Sequence, residues 1–152
     1  MKNFKNAFTM IELVFVIAVL GILAAIAIPK FAATRTDAVI VSGRSDVASI
    51  RTAISTERQK RFMRGDSSYI TSLDAGVGTG EGVLLFDNNG TTTSKLLTYG
   101  ITTKNADGGW MKTATNTYKY KVAGVTNTFT YDPNTGLFDC TGGEQYCSQL
   151  TK

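Results

Sequence analysis

The 21 residues from Phe8 to Ile28, FTMIELVFVIAVLGILAAIAI, contain a single charged side chain, Glu12. As an α-helix, that run extends roughly 32 Å at ~1.5 Å per residue, close to the ~30 Å hydrocarbon thickness of a bilayer. A chain of 152 residues has little core in which to hide so apolar a helix, so the pattern predicts a membrane-embedded segment. Beyond Pro29 the period stays helical but becomes one-sided. Ile40, Val47, Ile50 and Ile54 recur on one stripe, with Ala48 and Ala53 beside them. Arg44, Asp46, Arg51, Glu57 and Arg58 take the other faces. The predicted helix runs to about Phe62. Gly65 is its stop, and Arg61 and Arg64 complement the negative helix end.

The pattern then changes from period 3.6 to period 2. Residues 65–81 are rich in Gly, Ser and Thr and read as a loop. Strands are predicted at Gly82–Asp87, Lys95–Ile101, Thr117–Ala123 and Val125–Tyr131. Tyr118, Tyr120 and Val122 alternate with Lys119, Lys121 and Ala123, as on a half-buried strand. Turn signals lie at Asp87-Asn88-Asn89-Gly90, at Gly124 and at Asp132-Pro133-Asn134-Thr135-Gly136. Trp110 and the strand aromatics are predicted core. The sum is an α+β fold, a long N-terminal helix packed on a small antiparallel sheet of three or four strands.

Charge and composition narrow the function. Net charge is +4, and Lys2 and Lys5 precede the apolar run. Without them the charge is 4 − 2 = +2, too small to argue for nucleic acid binding by itself. Their position keeps the N-terminus cytoplasmic. Lys30 and Arg35, after the run, weaken that contrast. Histidine is absent, which removes the commonest general base and transition-metal ligand. No nucleophile motif is present, and an enzyme is not expected. Cys140 and Cys147 are the only cysteines. A lone close pair behind an export segment reads as a disulfide.

Two readings of the apolar run compete. One is a secretory signal peptide with an Ala25-Ile26-Ala27 cleavage site. Against it stand the length of the run and Glu12 inside it, since an acid in a membrane helix is costly and points to a function with a partner. The sequence Ala7-Phe8-Thr9-Met10-Ile11-Glu12 followed by an apolar helix resembles the processing signal of type IV prepilins and type II secretion pseudopilins. The resemblance is strong over about the first thirty residues, and beyond them it is one of layout. It implies cleavage between Ala7 and Phe8 by a prepilin peptidase, then N-methylation of Phe8. Ala7 departs from the glycine usual in the family before the cut. Glu12, Gly21 and Pro29 fall at family positions used in assembly, with Pro29 marking a kink in a continuing helix. The implied divisions are a leader at 1–7, a transmembrane and assembly helix at 8–29, and a soluble head at 30–152. The head comprises an amphipathic helix over 30–64 and a β-region over 82–152. Family membership further implies a homo-oligomeric filament with other pilin-like subunits, an inner-membrane precursor with a periplasmic head, a platform protein and an assembly ATPase.

A physical role for Glu12 accompanies this. Cleavage gives Phe8 a free α-amine. In staggered parallel helices, Glu12 of one subunit meets the amine of another, which relieves the cost of a buried charge and sets the register. Gly21 and Ala25 form a small-xxx-small pair that allows close helix approach.

Two further features carry weaker expectations. Arg58, Lys60, Arg61 and Arg64 form a basic run, which supports an alternative function as a minor pilin of a DNA-uptake system. A solvated helix end explains the run more simply. Asp132, Asp139 and Glu144 flank the cysteines, and calcium is conceivable there because major pseudopilins bind it in C-terminal loops. No EF-hand spacing exists, and no metal site is assigned.

Overall fold

The computed structural model describes residues 8–87, 96–141 and 144–152. Ala7 with the 1–7 leader, Lys95 and the Asn88-Asn89-Gly90 turn signal lie outside them. The chain divides into two units between Arg35 and Thr36.

Helix α1 is assigned over Met10–Met63 and continues through Pro29. Its start is a capping box. Thr9 N–H donates to Glu12 Oε2 at 3.0 Å, and Glu12 N–H donates to Thr9 Oγ1 at 3.3 Å. Each side chain thus satisfies a backbone donor that the first helical turn leaves without an intrahelical partner. The other end is a Schellman motif. Gly65 takes φ +86°; its N–H donates to Phe62 O at 3.0 Å, and Asp66 N–H donates to Arg61 O at 3.0 Å. The stop predicted at Gly65 is therefore where the backbone turns left-handed.

In the second unit, α1 buries Ile40, Gly43, Val47, Ile50, Ile54 and Glu57. Ala48 is exposed and Ala53 only half-buried, because the stripe is narrower than the predicted apolar set. This face packs on a four-stranded antiparallel sheet of β3 (Trp110–Ala114), β4 (Thr117–Val122), β5 (Val125–Asp132) and β6 (Leu137–Cys140), in sequential order. A separate ladder joins β1 (Leu84–Leu85) to β2 (Ile101–Thr102). The short helix α2 (Cys147–Leu150) closes the chain.

The β4–β5 hairpin follows the predicted alternation, with Tyr118, Tyr120 and Val122 buried. Ala123 and Gly124 both have positive φ, the two-residue primed turn that matches strand twist. The Asp132–Gly136 turn forms as expected: Asp132 Oδ1 accepts Asn134 N–H at 2.9 Å, and Asp132 Oδ2 accepts the Thr135 hydroxyl at 2.9 Å. Hydrogen bonding holds the Asp132 carboxyl below the usual carboxylate range, with the Asn134 N–H the largest cause.

Two expectations change. Of the predicted Lys95–Ile101 strand, only Ile101 among the described residues joins β2, and residues 96–99 form bends. Gly82–Asp87 shortens to the two residues of β1, after which Phe86 turns to φ +61° and sends its ring into the core. There Phe86 meets Trp110, Tyr118 and Phe138 with ring centroids 4.9–6.4 Å apart. Trp110 lies fully in this core, and its indole N–H donates to Asp46 Oδ2 at 2.9 Å. Burial pushes the Asp46 carboxyl up, and the indole partly offsets it.

A buried ion pair fixes the loop after α1 to the sheet. Lys112 points inward from β3, with Nζ 3.0 Å from Asp74 Oδ1, and it donates to Val77 O at 2.7 Å. Asp74 has no exposed surface. Burial raises its carboxyl above the ordinary value, and the Lys112 ammonium partly counters that.

Candidate assembly segment

The apolar segment is local structure, and its side chains are displayed outward. Phe8, Ile11, Phe15, Ile22, Ile28 and Phe31 are all exposed, although burying each apolar side chain would favour the protein by ~1.5–3 kcal/mol. No residue of the segment's most apolar window is buried within the chain. A helix apolar on all faces needs a lipid or protein environment supplied from outside. Gly21 has nothing within 4 Å of where a Cβ would sit, so its missing side chain answers no contact inside this chain.

Glu12 sits on the first turn of α1. Its Oε2 accepts from the Thr9 N–H and, at 2.7 Å, from the Thr9 hydroxyl. Oε1 has no hydrogen-bond partner among the described residues. The capping box holds the carboxylate at the head of the helix, four residues from Phe8, with one oxygen available to a second donor. Thr9 is a residue that the sequence reading missed, although its spacing to Glu12 is the [Ser/Thr]-x-x-Glu signature of a helix start. Pro29 lacks an N–H, so the carbonyl of Ala25 receives no bond from it, yet helix is assigned on both sides.

At the other end of the chain Cys140 and Cys147 are bridged, with Cα atoms 5.5 Å apart. The bridge joins the end of β6 to α2. Arg51 strengthens the same corner: it donates to Phe138 O at 2.9 Å, to Thr151 O at 3.0 Å and to Asp139 Oδ1 at 3.0 Å. Asp132, Asp139 and Glu144 do not converge into one site among the described residues. Asp132 serves its turn, Asp139 pairs with Arg51, and Glu144 Oε2 lies 3.1 Å from Cys147 Sγ. The grouping Cys140, Glu144 and Cys147 is compact, but both sulfurs are in the bridge and neither is a thiolate.

The basic run at the end of α1 is largely matched. Lys60 Nζ lies 3.6 Å and Arg61 Nε 3.8 Å from Glu57, and Arg61 reaches Asp66 at 3.5 Å. Arg58 donates to the Tyr69 hydroxyl and stacks over that ring at 4.1 Å.

Residues 2–28 match the family model described as the prokaryotic N-terminal methylation motif. Two forms of type IV major fimbrial protein FimA from Dichelobacter nodosus are each 43% identical to this chain over 56 residues, or 37% of this chain and 36% of theirs. A third form is 43% identical over 56 residues and is covered to 35%. The chain thus matches about a third of the length of these curated relatives. No solved structure matches it.

Proposed function

We propose that this chain is a member of the type IV pilin family and a structural subunit of a type IV pilus or a type II secretion pseudopilus, a reading that its N-terminal segment supports. The observation that carries the reading is the fully displayed apolar helix headed by a capped glutamate. Such a surface is stable in a bilayer before assembly and against copies of itself afterwards.

In this reading a prepilin peptidase cuts between Ala7 and Phe8, and Phe8 is then N-methylated. The inner membrane holds the precursor with its head in the periplasm, and the platform protein and assembly ATPase move it into the filament. The new Phe8 amine of one subunit meets Glu12 Oε1 of a neighbour. Gly21 gives the helices close approach, and Pro29 lets the helix adjust its direction where it leaves the apolar layer. The chain itself performs no catalysis. The reading is tested by expressing the chain with a complete pilus machine and shearing filaments from the cells. Immunogold label along the sheared filaments is expected. Label confined to the membrane in cells that build other filaments refutes it.

A further inference from the structure

The outer face of the sheet carries a charge pattern distinct from that of the helix end. Lys119 and Lys121 project from β4 on the side opposite the buried Tyr118 and Tyr120. Two residues apart on one strand face, they stand ~6.6–6.8 Å from each other along the strand. Their partners across the ladder are Thr128 and Thr126 on β5, and Met111 on β3 faces Lys119. Lys104 comes from the loop before β3, and with Lys119, Lys121, Met111 and Thr126 it lines a cleft of about 250 Å³.

No acidic residue lines the cleft. The nearby carboxylates are engaged by the main chain: Glu81 Oε1 accepts Asn105 N–H at 2.6 Å, and Asp107 Oδ1 accepts Gly124 N–H at 2.8 Å. Lys104 and Lys119 make no ion pair among the described residues. Lys121 donates to Asn105 Oδ1 at 3.0 Å, which holds its ammonium at the cleft. Three like charges along one cleft, with no carboxylate in its lining, repel one another, and an anion between them reduces that cost. A cleft below the ~300 Å³ of ordinary ligand pockets suits a small group. Threonine hydroxyls supply neutral donors, and the half-buried Met111 supplies an apolar wall for carbon attached to the anion.

We propose that this cleft binds a phosphate monoester, its oxygens among Lys104, Lys119 and Lys121 and its ester carbon against Met111. Phosphate is favoured over carboxylate because its greater negative charge and three acceptor oxygens suit a cleft lined by three cations. The absence of an aromatic side chain from the cleft argues against a base-stacking site for single-stranded nucleic acid.

The test is calorimetric titration of the mature full-length chain in detergent with phosphoserine, inorganic phosphate and acetate, at low and high ionic strength. Phosphoserine is expected to bind more tightly than the other two, and more weakly as salt rises. The Lys119→Gln/Lys121→Gln double variant, checked by near-ultraviolet circular dichroism for intact packing, is expected to lose at least ~10-fold in affinity through lost charge-assisted bonds. Lys60→Gln, at the paired helix end, is expected to leave affinity unchanged. No phosphoserine binding by the wild type overturns the proposal, as does equal affinity in the folded double variant. Equal affinity for inorganic phosphate makes the free ion the ligand and overturns the ester assignment, and acetate binding as tightly overturns phosphate.

Discussion

Replacing Lys112 with methionine isolates the ion pair that holds the 66–83 loop to the sheet. The wild-type ammonium neutralises Asp74 at 3.0 Å and donates to the main-chain oxygen of Val77. Methionine fills much the same volume but leaves a wholly buried carboxylate without its cation and a carbonyl without its donor. Breaking one side of a buried pair costs ~3–5 kcal/mol. For a folded head of roughly a hundred residues, ~4–8 °C of melting temperature per kcal/mol implies a drop on the order of 12–40 °C. Melting is followed in the near ultraviolet, where Trp110 reports on the core.

The pH dependence gives the variant a signature. Burial already raises the Asp74 carboxyl, and loss of Lys112 raises it further. A carboxyl whose folded-state pKa lies above its unfolded value binds more protons when folded, so stability falls as pH rises through the window between the two. The Lys112→Met deficit is therefore largest at neutral pH and shrinks as acid protonates Asp74. In the Asp74→Leu/Lys112→Met double variant neither charge of this pair remains buried, and most of the loss is expected to return. A single variant within ~1 kcal/mol of wild type, well under the cost of breaking a buried pair, refutes the reasoning, and so does a double variant as unstable as the sum of its singles.

Three other outcomes follow from the same structure. Gly43→Ala gains up to ~1 kcal/mol of helix propensity, but its Cβ would lie 2.4 Å from the Tyr120 ring and 2.8 Å from Leu150. Overpacking of ~1–3 kcal/mol should win, read as a lower melting temperature. Cys140→Ser/Cys147→Ser opens a loop with a sequence separation of 7 and should cost ~2–3 kcal/mol on the chain-entropy account, measured in urea. Glu12→Gln is expected to enter the membrane as efficiently as wild type in fractionation but to yield no sheared filaments, since the amide cannot neutralise the Phe8 amine.

The elements legible in the sequence are those whose signal is local. α1 showed in its apolar period and in Gly65, and the β4–β5 hairpin showed in strict alternation around Gly124. β3 was not anticipated because its central inward position is Lys112, which breaks the apolar pattern and is acceptable only through Asp74, 38 residues away. β6 spans four residues, Leu137–Cys140, with Leu137 exposed and Phe138 buried, too short for periodicity to register. Lys95–Ile101 looked like a strand by composition, but Gly100 packs so closely that a Cβ there would lie 2.6 Å from Leu84 and 2.7 Å from Leu85 O. Of the predicted strand, Ile101 alone pairs among the described residues, with Leu85. The apolar N-terminal helix was legible almost entirely, because a long unbroken apolar run needs no tertiary information. The pairing of Glu12 with Thr9 was equally local and went unread, and the cleft between Lys104 and β4 needed the fold to assemble it.

The central claim, that the apolar helix is retained and exposed by processing at its front, is tested most directly by mass spectrometry of the chain's N-terminus from native cells. The account predicts a mature chain beginning with N-methylated Phe8. A chain beginning near Ile28 contradicts it, because the apolar run would then be a discarded export signal and Glu12 would be absent from the working protein.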